Sequence, residues 1–165
     1  MRVTYGEGFA VAQVRPMRER VEQLQAELDN VAQVDCPVRH YFAPGMYARE
    51  MSIPAGTVVV GAVHKTENLI VVSLGRLRIV TDEGTREIEA GETFTCLAGM
   101  KNAVVALEDS RWTNFFSNPT NETDPDKLVE ILSESKAGEL MGGSENRQLL
   151  ANMSKQETLG GSVCH

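Results

Sequence analysis

The sequence predicts a mainly β fold, a single barrel or jelly roll, with a helix ahead of it and a second helix plus an extended arm behind it. Three observations carry this. Short runs rich in Val, Ile, Thr and aromatic residues recur about every eight to twelve residues from 46 to 117, with turn-forming residues between them. Ahead of them, apolar residues from Val14 onward are spaced 3, 4, 3, 4 and 3 apart, which is a helical period. Behind them, Thr123-Asp124-Pro125-Asp126 has the chemistry of a helix start, a capping oxygen followed by proline in the first turn.

Residues 1–10 read as irregular. The seam that follows is Val14, Met17, Val21, Leu24, Leu28 and Val31. It predicts a helix over about 16–34, opened by Pro16 and stopped before Cys36-Pro37. A stripe this narrow suits a short coiled coil between subunits. The alternative is an amphipathic helix lying on its own domain. Fewer than three heptads are marginal alone, so an oligomer would also draw on the attached domain. A homo-oligomer is expected, with a trimer preferred over a dimer.

The strands are expected at 46–53, 57–64, 68–74, 76–81, 85–90, 92–97, 102–108 and 111–117. Pro54-Ala55-Gly56, Asp82-Glu83-Gly84 and Ala90-Gly91-Glu92 supply turns between them. After Pro125, Leu128, Ile131 and Leu132 give a helix with one apolar stripe, ending near Ser135. Residues 137–165 carry Gly138, Gly142-Gly143 and Gly160-Gly161 among polar residues, a composition that buries little on its own. Leu149 and Leu150 are the expected anchor of an arm that orders by docking on a neighbouring protein. The organisation is therefore a stem at 1–36, a barrel at 37–119, and a helix with arm at 120–165.

A chain of 165 residues suffices for one domain with a real core. The net charge of −7 and the absence of a Lys/Arg block argue against nucleic acid or an anionic membrane as partner. No apolar run approaches the roughly 20 residues of a membrane span. The first 15 residues show no apolar stretch of the secretory type. Cys36, Cys96 and Cys164 have no metal-type spacing and are expected as reduced thiols.

Two spacings single out a candidate site. From Gly56, five residues lead to Ala62-Val63-His64, three more to Asn68, and six more to Gly75. From Gly91, five residues lead to Leu97-Ala98-Gly99, two more to Asn102, and three more to Ala106. In both, the pattern of glycines and intervals resembles the paired motifs of the cupin family. The resemblance covers about residues 45–117. It implies a jelly-roll barrel whose metal ligands, three His and one Glu, would fall at Ala62, His64, Asn68 and Asn102. Ala62 has no donor atom, and neutral amides are weak ligands for a transition metal. Glu67 is one residue out of register and on a strand would point to the opposite face. One good ligand does not hold zinc, iron or manganese. No metal and no other cofactor is expected, and His64 reads as a hydrogen-bonded barrel residue.

Other catalytic arrangements are missing. His40 reads as a loop residue and His165 is terminal, so no Ser/His/Asp or Cys/His set can be nominated. Glu108-Asp109 beside Arg111 reads as a solvated bend. Trp112, Phe115 and Phe116 read as packing on the last strand. Gly142-Gly143-Ser144 lacks the lysine of a phosphate loop.

A narrower resemblance covers about residues 46–132. The run from MYARE through IPAGTV and HKT, and then EDSRW and TNETDPDKL, is similar to small cupin-like proteins encoded by tailed bacteriophages. Together with the incomplete metal site, the heptad seam and the polar tail, it leads to the expectation of a non-enzymatic particle component, a collar, head or tail appendage, made in the host cytoplasm and joined to other virion proteins. The alternative is a small-molecule cupin, enzyme or ligand-binding protein.

Overall fold

The structure is a computed structural model that describes residues 17–81 and 84–135. Its elements are α1 (Met17–Leu28), β1 (Val38–Ala43), β2 (Gly45–Ile53), β3 (Val58–Val60), β4 (Asn68–Leu74), β5 (Arg76–Thr81), β6 (Gly84–Glu89), β7 (Thr93–Cys96), β8 (Ala103–Ala106), β9 (Ser110–Asn118) and α2 (Pro125–Leu132). Neither helix is long and apolar enough to cross a membrane.

The pairing is nested. β2 pairs β9, β3 pairs β8, β4 pairs β7 and β5 pairs β6, all antiparallel. A long hairpin has been rolled up, and two further pairings, β4 with β9 and β5 with β8, close the roll into two sheets. Their strand orders are β1-β2-β9-β4-β7 and β3-β8-β5-β6. This alternation of eight strands between two sheets is a jelly roll, as the sequence predicts, with β1 added to one edge.

The core lies between the sheets. Ile70, Val72, Leu77 and Ile88 are fully buried and pack with Ile53, Ile79, Val104, Ala106 and Trp112. A second cluster joins Tyr47 and Phe116 of the five-stranded sheet to Leu128 and Leu132 of α2. Gly75, at the β4–β5 turn, has φ +74°, and a Cβ there would stand 2.3 Å from the Asp109 carbonyl oxygen. No other residue fits that corner. Gly56, Gly91 and Gly99 of the two motifs share a positive φ.

Several expected boundaries move. The edge strand β1 was not foreseen, and it places His40 in a strand rather than a loop. The strand expected at 57–64 is regular only over Val58–Val60, after which His64 makes a single bridge to Ser133. The 102–108 strand shortens to Ala103–Ala106. α2 begins as expected, with the Asp124 side chain accepting from Asp126 N and Pro125 in the first turn. It stops at Leu132 rather than Ser135, because Ser133 turns extended to meet His64.

α1 ends at Leu28, six residues short of the expected 34. There, side-chain amides take over the helix carbonyls: Asn30 Nδ2 donates to Ala26 O, and Gln33 Nε2 to Leu28 O and Val31 O. Val21 is buried within its own chain at 3% exposure, while Val31 is 57% exposed. Lys101 Nζ donates to Gln25 Oε1 and Arg18 pairs with Glu134. Through these contacts the helix lies against its own domain. Val14 falls outside the described residues, as do Leu149, Leu150 and the expected arm.

Candidate functional site

Antiparallel register decides which side chains share the barrel interior. Across the five-stranded sheet, His40, Arg49, Asn114, Ile70 and Phe94 stand opposite one another in one row. Beside it, Val38, Met51, Trp112 and Val72 form a second row. On the other side come Phe42, Tyr47 and Phe116, with Asn68 opposite Cys96. Ile70 and Val72 are fully buried, so this face points inward. It carries an arginine, two asparagines and a histidine among its apolar residues.

These rows and the facing sheet enclose a cavity of about 970 Å³, open at the end where α1 and α2 lie. Met51, Ile53, Ile70, Val104, Trp112 and Phe116 make its apolar wall, and Arg49, His64, Asn102 and Asn114 its polar part.

Three of the four motif positions, Ala62, His64 and Asn102, line the cavity; Asn68 does not. Ala62 and His64 follow β3, Asn68 opens β4, and Asn102 immediately precedes β8. Ala62 is buried and brings no donor. Asn102 is also buried and lies over Gly61, where a Cβ would stand 2.6 Å from its Oδ1. Gly61 N donates to the Asn102 carbonyl across 3.0 Å, joining the two motifs through backbone.

Asn68 is tied into a buried chain of known polarity. Trp112 Nε1 donates to Asn114 Oδ1 at 2.6 Å, and Asn114 Nδ2 donates to Asn68 Oδ1 at 2.8 Å. The indole only donates, so it fixes both amides. The Asn68 oxygen is therefore already occupied, and its Nδ2 is turned elsewhere. That nitrogen has no hydrogen-bond partner, although the Cys96 thiol lies near enough to feel it.

His64 is half-buried, with its ring 5.1 Å from that of Phe116. Burial, reinforced by the charge of Arg49 and opposed by the Leu132 carbonyl, pulls its pKa down to about 4. It is neutral at pH 7, and its Nδ1 has no hydrogen-bond partner. His40 Nδ1 and the Tyr47 hydroxyl share a 2.8 Å hydrogen bond. Burial, with Arg49 adding to it, lowers the His40 pKa. Burial pushes Tyr47 up to about 12 against the opposing pull of Arg49. The thiols of Cys36 and Cys96 are raised chiefly by burial.

This donor set does not fit the metal of a cupin site. One position lacks a donor, a second has its amide oxygen engaged by Asn114, and a third is a neutral amide. Glu67 is exposed in the loop before β4. Among the described residues no three His, Cys, Asp or Glu side chains come together around one point. What remains at the mouth can donate, accept and attract an anion.

The residues outside the motifs divide clearly. Glu108 and Asp109 are exposed, as a solvated bend requires, and each has a partner: Asp109 Oδ1 accepts from Ala55 N and Glu108 pairs with Arg76. Trp112 and Phe116 are buried. Of the seam residues, Met17, Leu24 and Leu28 are half-buried on the chain's own domain. Sequence reasoning missed Arg49, Asn114, His40 and Tyr47 as interior groups. A signal for the first existed: the alternation in MYAREMSI places Tyr47, Arg49 and Met51 on one face with Ile53.

No protein-family model and no curated protein matches this chain. Solved structures do, and several of them are cupin or RmlC-like proteins. KdgF from Halomonas sp. is 18% identical, over 58% of this chain and 86% of its own, with a TM-score of 0.47. An RmlC-like cupin from Shewanella frigidimarina is 17% identical over 53% of this chain and 79% of its own, with a TM-score of 0.45. The cupin domain of Schizosaccharomyces pombe Cnp3 is 16% identical over 56% and 73%, with a TM-score of 0.44. The jelly roll assigned above rests on this chain's own strand order.

Proposed function

We propose that this chain is a metal-free cupin-type barrel that acts by binding rather than by turnover, as a structural appendage of a bacteriophage particle. The observation that carries the first half is the occupancy of the four motif positions by Ala62, His64, Asn68 and Asn102, with the Asn68 oxygen committed to Asn114. The likeness of residues 46–132 to cupin-like proteins of tailed phages supports the second half. A non-enzymatic particle component needs the barrel as a rigid bead and has no use for the metal. Assembly with other copies, a trimer before a dimer, and with other virion proteins belongs to this reading.

The test is location and loading together. Mass spectrometry of purified particles is expected to find the chain in stoichiometric amount. Elemental analysis of the purified protein is expected to find well under one Fe, Mn, Ni or Zn per chain. Absence from particles would remove the appendage reading. A stoichiometric metal lost on His64→Ala would remove the metal-free one.

The cavity favours a second reading, a small-ligand-binding barrel. Its volume of about 970 Å³ is at the upper end of the usual range for small-molecule sites, roughly 300–1,000 Å³. A bead that serves only as a spacer does not need it.

A further inference from the structure

The two sheets end on four edge strands, β1 and β7 in one and β3 and β6 in the other. An exposed edge offers unpaired backbone groups to any other strand, and stable monomers blunt it by shortness or by charge. Three of the four are blunted in these ways. β3 has three residues and β7 four, and β6 carries Arg86, Glu87 and Glu89, all exposed. β1 is different. It runs unbroken through six residues, Val38 to Ala43, without proline or bulge. Its only charge at pH 7 is Arg39, since burial, with Arg49 adding to it, keeps His40 neutral. Tyr41 and Phe42 are 47% and 43% exposed on it. Among the described residues no strand pairs with its outer edge. Register fixes which groups that edge offers. Ser52 N donates to Pro37 O at 2.9 Å, so every second residue after Pro37, namely Arg39, Tyr41 and Ala43, turns its backbone groups towards β2. Val38, His40 and Phe42 turn theirs outward.

We infer that this chain dimerises by antiparallel pairing of β1 with β1 of a second copy, about a two-fold axis at His40, joining the two five-stranded sheets into one. In that register Val38, His40 and Phe42 all exchange backbone hydrogen bonds with the second copy. On the inward face Val38 meets Phe42 of the second copy, apolar against apolar. On the outward face Arg39 meets Tyr41 of the second copy, a guanidinium against an aromatic ring. Arg39 is free to turn there, since its side chain is 71% exposed and its ion pair with Glu50 is a loose 3.8 Å. On the axis the two His40 rings meet uncharged. Sliding the register by two residues sets Arg39 against Arg39 in one direction and Tyr41 against Tyr41 in the other, and leaves part of the edge unpaired. Of the two counts considered above, an isologous pair allows only the dimer. The inference goes beyond the particle reading and rests on neither it nor the cavity, so particle mass spectrometry and the experiment below fail separately.

Light scattering on the full chain, between about 1 and 100 µM, is expected to show a monomer passing to a dimer. Tyr41→Lys sets a like charge opposite Arg39 on both sides of the axis, while leaving the β1–β2 backbone bonds and the inward face as they are. It is expected to weaken dimerisation by about tenfold or more. Adding Arg39→Glu to the same chain puts opposite charges across the axis and is expected to recover most of that loss. A monomer throughout, a trimer, a dimer indifferent to Tyr41→Lys, or a double variant as weak as the single one would each overturn the proposal. Amide hydrogen exchange on the unaltered chain gives a second measure that needs no variant to fold. The amides of Val38, His40 and Phe42 are expected to gain protection as the concentration rises through the dimerisation range. Protection of those amides at every dilution would mean that residues 1–16 or 136–165 of the same chain cover the edge, and the proposal would fall.

Discussion

At one end of the barrel Leu77, Ile79 and Ile88 are at most 1% exposed and belong to a single apolar cluster with Val72 and Ala106. At the other end, the same two sheets offer His64, Asn68 and Asn102, with Arg49 and Asn114 one row deeper. None of the first group lines the cavity, whereas four of the second do. The strands are common to both ends, so the difference lies in side chains alone. Apolar burial at the packed end supplies the folding free energy. The mouth contains two unpartnered polar atoms that oppose folding. A protein selected only for a stable bead would have filled the mouth as it filled the other end.

The packed end is the place to lose most stability. Leu77→Ala removes a side chain with no exposed surface, and a cavity of that kind costs about 2–5 kcal/mol. Urea unfolding should show a lowered midpoint with an unchanged slope. A loss under about 1 kcal/mol would mean that this end repacks freely, and the contrast between the ends would disappear.

Acid reaches the mouth first. His64 titrates near 4 when folded and near 6.5 when unfolded. Between these values the unfolded chain binds the extra proton, so stability is intact above about pH 6.5 and falls as pH drops towards 4. The loss approaches an order of 3 kcal/mol at the lower limit, and His40, whose pKa is also lowered, acts in the same direction. Glu87 is held below the usual carboxylate range chiefly by Arg78, and Glu122 by backbone N–H groups. His64→Gln should flatten the stability–pH profile between about pH 4.5 and 6.5. An unchanged slope in that variant would place the acid sensitivity elsewhere.

Asn114→Ala attacks the polar chain itself. It strands the Trp112 N–H and the Asn68 oxygen together, at a cost of about 2 kcal/mol. In a Trp112→Phe background the same change should cost less, since one of the two stranded groups is already gone. Equal costs in both backgrounds would show that the chain is not a coupled unit.

The two ends also differ in how legible they are in the sequence. The packed end is written in period-two alternation and in glycines with positive φ, and the strands at 68–74 and 76–81 fall where the pattern places them. The four motif positions are legible too, because two fixed spacings in register name them. The Asn114 chain is not, since which residue faces Asn68 depends on the β4–β9 register. Arg49 lay in plain alternation, but its neighbour Glu50 suggests a charged surface pair until the strand is known to be covered on one face. Glu50 does face outward, towards Arg39 and Arg111. The seam of α1 has a helical period that cannot say which surface it meets. The structure turns Val21 towards the chain's own barrel.

The smallest effect expected is at α2, whose Leu128, Val129 and Leu132 line the cavity. Leu128 and Leu132 pack on Tyr47 and Phe116. The helix end is tied to the first motif through Lys65 N to Leu132 O and Glu134 N to Val63 O, both 2.9 Å. At its start Asp124 accepts from Asp126 N at 3.0 Å. Asp124→Ala removes this cap at a cost of about 1 kcal/mol. The barrel strands do not depend on the cap, so the loss should be local. Hydrogen exchange should quicken in 125–134 and at Lys65, while Ile70 and Leu77 keep their protection. If exchange rises equally at Leu77, the helix is part of the same cooperative unit as the packed end.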